Sequence, residues 1–269
     1  MLVVISPAKR LEWSAHDIEM TQPEFHSDAV RLVKTARNLT LGKLKDLMNL
    51  SDDLARLNRD RFQVFAEHPA VEQTRPAAFA FAGDTYQGLQ AAQLDADQRL
   101  WAQNHLRILS GLYGLLRPFD AIQPYRLEMG SRLKTRRGET LYAYWRDQLA
   151  KALNDRADAM GTELLVNCAS QEYYGAVDPK ALKLSVISPQ FFEDKEDGHG
   201  PRMVSFFAKR ARGAMARFII ENRLTSKDAL RDFSVDGYRF DKERSTSERP
   251  VFIRPQSASP GQPKGEAAA

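Results

Sequence analysis

Short apolar runs of strand length alternate along this chain with longer stretches of helical period, and that alternation constrains the fold more than any other feature. Residues 2–5, 77–82, 106–109, 164–169, 184–187 and 203–207 read as strands, because each is a mostly apolar run bounded by polar or glycine positions. Helical patterns lie between them. Ser27 or Asp28 caps one that runs toward Asn38, with Ala29, Leu32, Val33 and Ala36 on one face. Residues 41–66 are helical with an interruption near Asn49 to Ser51, residues 97–105 form a further helix, and residues 141–160 another. Residues 238–240 and 251–254 suit a closing hairpin, while residues 12–24 read as loop. Strands and helices in turn predict a mixed α/β protein built on one sheet, a single domain over residues 1–254. Residues 255–269 are rich in Pro, Ser, Gly and Ala and lack large apolar side chains, so they predict a disordered tail.

Such a fold needs a sizeable core, and 43% of the 269 residues are hydrophobic. The net charge of +4 favours nucleic acid or acidic small molecules as partners, without the charge density of a histone-like protein. Cys168 is the single cysteine and lies in an apolar run, which excludes an intramolecular disulfide framework and reads as a buried structural thiol. The opening MLVVISPAK has no basic n-region and too short an apolar stretch for a signal peptide. No run approaches the roughly 20 apolar residues of a membrane span. The sequence predicts a soluble, cytoplasmic protein with no membrane partner.

The densest basic cluster is FFAKRARGAMARFIIENRL at residues 206–224. Phe207, Ala211, Met215 and Phe218 share one side of a helix there, and Lys209, Arg210, Arg212 and Arg217 lie on the other. A docking surface for an anion and an ordinary solvated helix face both fit this pattern. A second cluster surrounds the interrupted helix. Leu47, Leu50 and Ala55 have the apolar spacing of a helix-hairpin-helix, whose tight turn binds a phosphate through backbone N–H groups. Asn49 and Ser51 occupy the turn positions usually held by glycine, and Lys43, Lys45 and Arg56 flank them. A plain helical hairpin is the other reading.

Polar residues also gather just after the predicted strands: Ser6 to Lys9, Gly83 to Tyr86, Ser110 and Gly111, Asn167 to Tyr174, and Lys209 with Arg210. In an open, largely parallel sheet these ends share one edge, where ligands bind. Strand ends are also simply where polar residues go. Residues 105–133 add Arg107, Arg117, Arg126 and Arg132, suited to clamping phosphate or carboxylate, and Arg126 with Glu128 suits an orienting ion pair. The scattered histidines show no metal-ligand spacing, and no Walker A loop, dinucleotide fingerprint or nucleophile elbow appears. The sequence therefore predicts no metal site and no cofactor.

Six segments in order are similar to the YaaA family of bacterial peroxide-stress proteins: ISPAK, LMNLSDDLARLN, FAGDTYQGL, HLRILSGLYGLLRPFDAIQPYRLEMG, NCASQEYY and FFAKRARGAMARFIIENRL. The resemblance runs from Met1 to about Arg254. It implies an α/β domain of unusual topology with a positively charged cleft and a helix-hairpin-helix, which falls here at residues 44–58. It further implies binding of double-stranded DNA and a role in limiting iron-dependent damage during hydrogen peroxide stress. Lys9, Arg126, Lys209, Arg210 and Arg212 match basic positions in these motifs, and with Lys43, Lys45, Asn49, Ser51, Arg56 and Arg217 they are the candidate nucleic-acid contacts. A competing reading is an enzyme acting on nucleotides, nucleobases or damaged DNA. Lys9, Asp84, Tyr86, Arg126 and Glu128 would serve it, Lys9 as a nucleophile only where burial lowers its pKa.

Overall fold

The computed structural model describes residues 1–195 and 198–256. Its central sheet contains β1 (Leu2–Ile5), β2 (Leu106–Ser110), β3 (Gly114–Leu116), β4 (Leu164–Cys168) and β5 (Ser185–Ile187), in the order β3-β2-β1-β4-β5. β1 pairs in parallel with both β2 and β4, so that Ile5 lies opposite Ile108 on one side and Cys168 on the other. β5 continues the parallel set beside β4, and β3 turns back antiparallel on β2. β1 and β2 are buried along their whole length. That is why they read as unbroken apolar runs rather than as alternating ones.

The sheet has a reversal at its centre. From β1 the chain builds outward through β2 and β3, whereas β4 and β5 build the opposite way. Because β1, β2 and β4 are parallel, the residues following them leave from one edge.

A second sheet lies apart from the first: β6 (Gln190–Asp194), β7 (Arg239–Asp241) and β8 (Val251–Pro255), with β8 in the middle. β6 is parallel to β8 and β7 is antiparallel to it. Phe191, Phe233 and Phe252 pack together there, with ring centroids 5.5–5.8 Å apart. Helix Ser205–Glu221 packs against strands of both sheets and joins them into one continuous core. Its Ala208, Ala211, Ala214, Met215 and Ile219 are buried, and the run of alanines lets neighbouring backbones approach.

That approach is closest against the short helix Asp84–Leu89. A Cβ on Gly88 would stand 2.0 Å from the Arg210 carbonyl oxygen, and one on Gly213 would stand 1.7 Å from that of Thr85. No side chain fits at either position.

Most expected elements stand, with corrections. The first helix is His26–Ala36 with Phe25 at its N-cap and no side-chain cap, so Ser27 and Asp28 lie inside its first turn instead of capping it. The one expected sheet becomes a five-stranded and a three-stranded sheet with two two-stranded ladders beside them, and the residues of β6, unassigned in the sequence, give the closing pair β7 and β8 a separate parallel neighbour. Residues 77–80 are a turn of helix, as their alanines favour, and only Phe81–Ala82 is extended, pairing with Arg10–Leu11. Residues 203–207 are not a strand; the helix already begins at Ser205, which puts Phe207 on the Arg254 guanidinium at 3.8 Å. The helix over 141–160 is broken into Leu141–Trp145 and Gln148–Ala159 by Arg146 at φ 46°. Pro255 ends β8 and the Gln256 N–H donates to the Asp194 carbonyl, so the folded part reaches two residues past 254. Residues 257–269 of the expected tail lie outside the described residues. Among the described residues no helix is long and apolar enough to cross a membrane.

Candidate functional site

A cleft of about 430 Å³ opens at the carboxyl edge of the sheet between β1 and β4. The loop after β1 supplies Ser6, Lys9 and Arg10; the end of β4 supplies Cys168, and the turn beyond it Ser170, Glu172 and Tyr173. Helix Asp84–Leu89 contributes Asp84, Thr85 and Gln87, and helix Ser205–Glu221 contributes Lys209 and Arg212. Polar residues from β1, β4 and the Asp84 helix, grouped by the sequence reading, thus do meet.

The two strand-end loops are tied together. The Ser170 N–H donates to the Ser6 hydroxyl at 2.9 Å, and the two hydroxyls lie 3.3 Å apart. Ser170 also caps the helical turn Gln171–Tyr174. Tyr86 is buried, and its hydroxyl donates to the Ser6 carbonyl at 3.2 Å. Burial, with Tyr125 and Tyr173 nearby, pushes its pKa well above the ordinary phenol value. Tyr86 therefore holds the loop.

Lys9 is mostly exposed and meets Glu128 Oε1 at 3.4 Å. Arg126 reaches the same oxygen through Nε and Nη2, each at 2.9 Å. Glu128 Oε2 is buried without a hydrogen-bond partner. Gly111, at the end of β2, lets this segment pass close, since a Cβ there would meet the Leu127 carbonyl at 2.3 Å. Arg126 and Glu128 thus stand behind Lys9 as its support, and the exposure of Lys9 leaves it without the desolvation a nucleophilic lysine needs.

The four cations of the basic helix divide. Arg210 pairs with Asp236 at 2.9 Å, and Arg217 pairs with Glu221 at 2.7 Å while bonding the Gln90 side chain at 2.9 Å. These two line a neighbouring hollow. Lys209 and Arg212 line the cleft, and the side chain of neither forms a hydrogen bond or ion pair with another described residue. Arg212 lies near Cys168, and its pKa is lowered by burial. Burial pushes the Cys168 thiol up to about 12, so it stays neutral beside the guanidinium. Asp84 is half-buried and likewise has no partner among the described residues.

The helical hairpin forms from Leu41–Met48 and Asp52–Val64. Asn49 takes the left-handed conformation at φ 49°, and the Ser51 hydroxyl accepts from the Leu54 N–H to cap the second helix. Lys45 is held by Asp52 at 2.6 Å, and Arg56 is exposed. Lys43 lines a separate hollow with Arg132 and Lys134. Gly130 borders that hollow and donates its N–H to Glu172, which lines the cleft. Sequence reasoning missed the pairing of Gly88 with Gly213. The only signal was Gly213 inside the predicted basic helix, followed by Ala214; the helix that carries Gly88 was not predicted.

Fold and cleft define an open-sheet α/β protein whose polar site lies where the strand order reverses. The profile of the family described as "Peroxide stress protein YaaA" matches residues 1–244. A UPF0246 protein of Roseobacter denitrificans is 71% identical over 259 residues, spanning 96% of this chain and 100% of that one. One of Ruegeria pomeroyi is 68% identical over 255 residues, spanning 95% and 99%, and one of Caulobacter vibrioides is 54% identical over 258, spanning 95% and 100%. The chain belongs to the YaaA family.

Proposed function

We propose that this is a peroxide-stress protein that binds double-stranded or locally distorted DNA largely without regard to sequence and thereby limits iron-dependent damage. Family membership supports the stress role. The observation that carries the DNA part is the run of basic side chains along one path. Lys209, Arg212 and Lys9 border the cleft, the Gly130–Glu172 hydrogen bond joins it to the next hollow, and Lys43, Arg132 and Lys134 border that one. On this reading the path is the positively charged cleft, and the hairpin at Asn49 acts as a degenerate helix-hairpin-helix. Cations that neutralise phosphates release counterions, so affinity falls steeply with salt. Fluorescence anisotropy on duplex, bubble-containing and single-stranded DNA over a salt series tests this. Tight duplex binding with a steep slope is expected, and a folded Lys209→Gln/Arg212→Gln double variant should bind weakly with a shallower slope. Weak binding to all three DNAs at low salt, or an unchanged double variant, overturns it.

The unpartnered Asp84 favours a second reading, an enzyme acting on a nucleotide or base in the same cleft. Turnover abolished by Asp84→Asn with DNA affinity intact would support it.

A further inference from the structure

We propose that the cleft between β1 and β4 binds a single nucleotide, its phosphate held by Arg212 and Lys209 and the N–H donors of its base by Asp84. The proposal rests on the cleft being the functional site, as in the second reading, and is independent of duplex binding.

Position is the first argument. In open α/β sheets, ligands bind outside the carboxyl ends of the strands where the strand order reverses. Here β1 and β4 flank that reversal, and the cleft opens at their ends. Its volume of about 430 Å³ suits one small molecule and is too little for a stretch of duplex.

The second argument is charge left without a counter-charge. Every other cation that the sequence assigned to the basic helix or to the Glu128 support has a carboxylate: Arg210 has Asp236, Arg217 has Glu221, and Arg126 and Lys9 share Glu128. Arg212 and Lys209 have none among the described residues. A partly buried guanidinium beside a neutral thiol is costly unless an anion reaches it. An Arg fork beside a Lys point charge is a good receptor for a phosphate monoester.

Asp84 supplies the other half. It lies one residue from Thr85, and Arg212 lies one residue from Gly213, yet Thr85 and Gly213 touch through their backbones while Asp84 and Arg212 form no ion pair. Both side chains line the same cleft. Opposite charges are thus presented to the cleft from the two elements that cross there. A ligand that satisfies both carries an anion at one end and N–H donors at the other. A nucleotide has that form. Guanine places two neighbouring N–H donors on one edge, matching the two oxygens of a carboxylate, so guanosine monophosphate is the probe. The same group arrives either as a free nucleotide or as an unpaired one in a DNA strand.

Isothermal titration of the full chain with guanosine monophosphate, adenosine monophosphate and inorganic phosphate tests the assignment. Guanosine monophosphate should bind more tightly than the other two. Arg212→Gln should lose at least tenfold for all three, with Arg212→Lys retaining part. Asp84→Asn should weaken the guanine nucleotide alone. No binding of guanosine monophosphate to the folded, unaltered chain overturns the proposal, as does phosphate binding equally well with Asp84→Asn silent. Anisotropy on the same samples separates this from the DNA reading. Nucleotide binding without duplex binding keeps this site and removes that interface, and duplex binding without nucleotide binding does the reverse. Competition by guanosine monophosphate against a strand with an unpaired guanine, but not against intact duplex, would place the extruded nucleotide in the cleft.

Discussion

Arg210 and Arg212 are two residues apart on one helix, yet one is neutralised and the other is open. The difference comes from Asp236, which belongs to a distant turn and which no local pattern associates with Arg210. The sequence showed that the segment was basic, but not which cations were spoken for, because each partner is a tertiary neighbour. Lys9 with Glu128 is the same case. Histidine gives a residue-scale prediction. His105 stacks on Trp101 with centroids 3.8 Å apart and donates from Nδ1 to the Met1 carbonyl at 2.9 Å. Burial, aided by nearby cations, holds its pKa below the ordinary value. The unfolded chain therefore takes up this proton first as pH falls, and stability is lost from about pH 6.5 downward, levelling off below the folded pKa. His105→Gln should flatten the thermal-melting curve over that window. A wild-type slope in the variant would show that His105 does not titrate this way.

At the scale of elements, the crossing of Asp84–Leu89 with Ser205–Glu221 is the most constrained contact. Gly213→Ala should destabilise by about 1–3 kcal/mol through overpacking against the Thr85 carbonyl. Gly42→Ala, inside helix Leu41–Met48 with nothing within 4 Å of the added carbon, should instead stabilise by roughly 0.5–1 kcal/mol. Denaturant unfolding of both decides whether the crossing is as tight as described; a neutral Gly213→Ala would show that it is not. Local pattern made most elements legible. β1, β2, β4 and β5 are apolar runs, and the hairpin break announces itself through Asn49 and Ser51. What failed was decided by packing. Phe207 looked like a strand residue, but its ring serves Arg254 from a helix. Arg146 broke a helix without any proline or glycine to mark it.

For the whole molecule, the seating of helix Ser205–Glu221 on the second sheet matters most. Arg254 of β8 and Glu193 of β6 form a pair at 3.1 Å with side chains only 2% and 5% exposed, and the Phe207 ring covers the guanidinium. Removing one partner leaves a buried charge, so Glu193→Gln should cost about 3–5 kcal/mol in denaturant unfolding. A loss under about 1 kcal/mol would mean that water reaches this pair. The candidate site was legible in part for a reason of the same scale. Polar strand ends could be identified in the sequence, but their convergence depended on β1 and β4 being parallel neighbours. The helix crossing at Gly88 and Gly213 has one more consequence. Asp84 and Arg212 stand on elements whose main chains already touch, so their spacing is set by backbone rather than by adjustable side-chain packing. On the nucleotide proposal above, the crossing acts as a calliper: it would sort ligands by the length between a phosphate at one end and hydrogen-bond donors at the other.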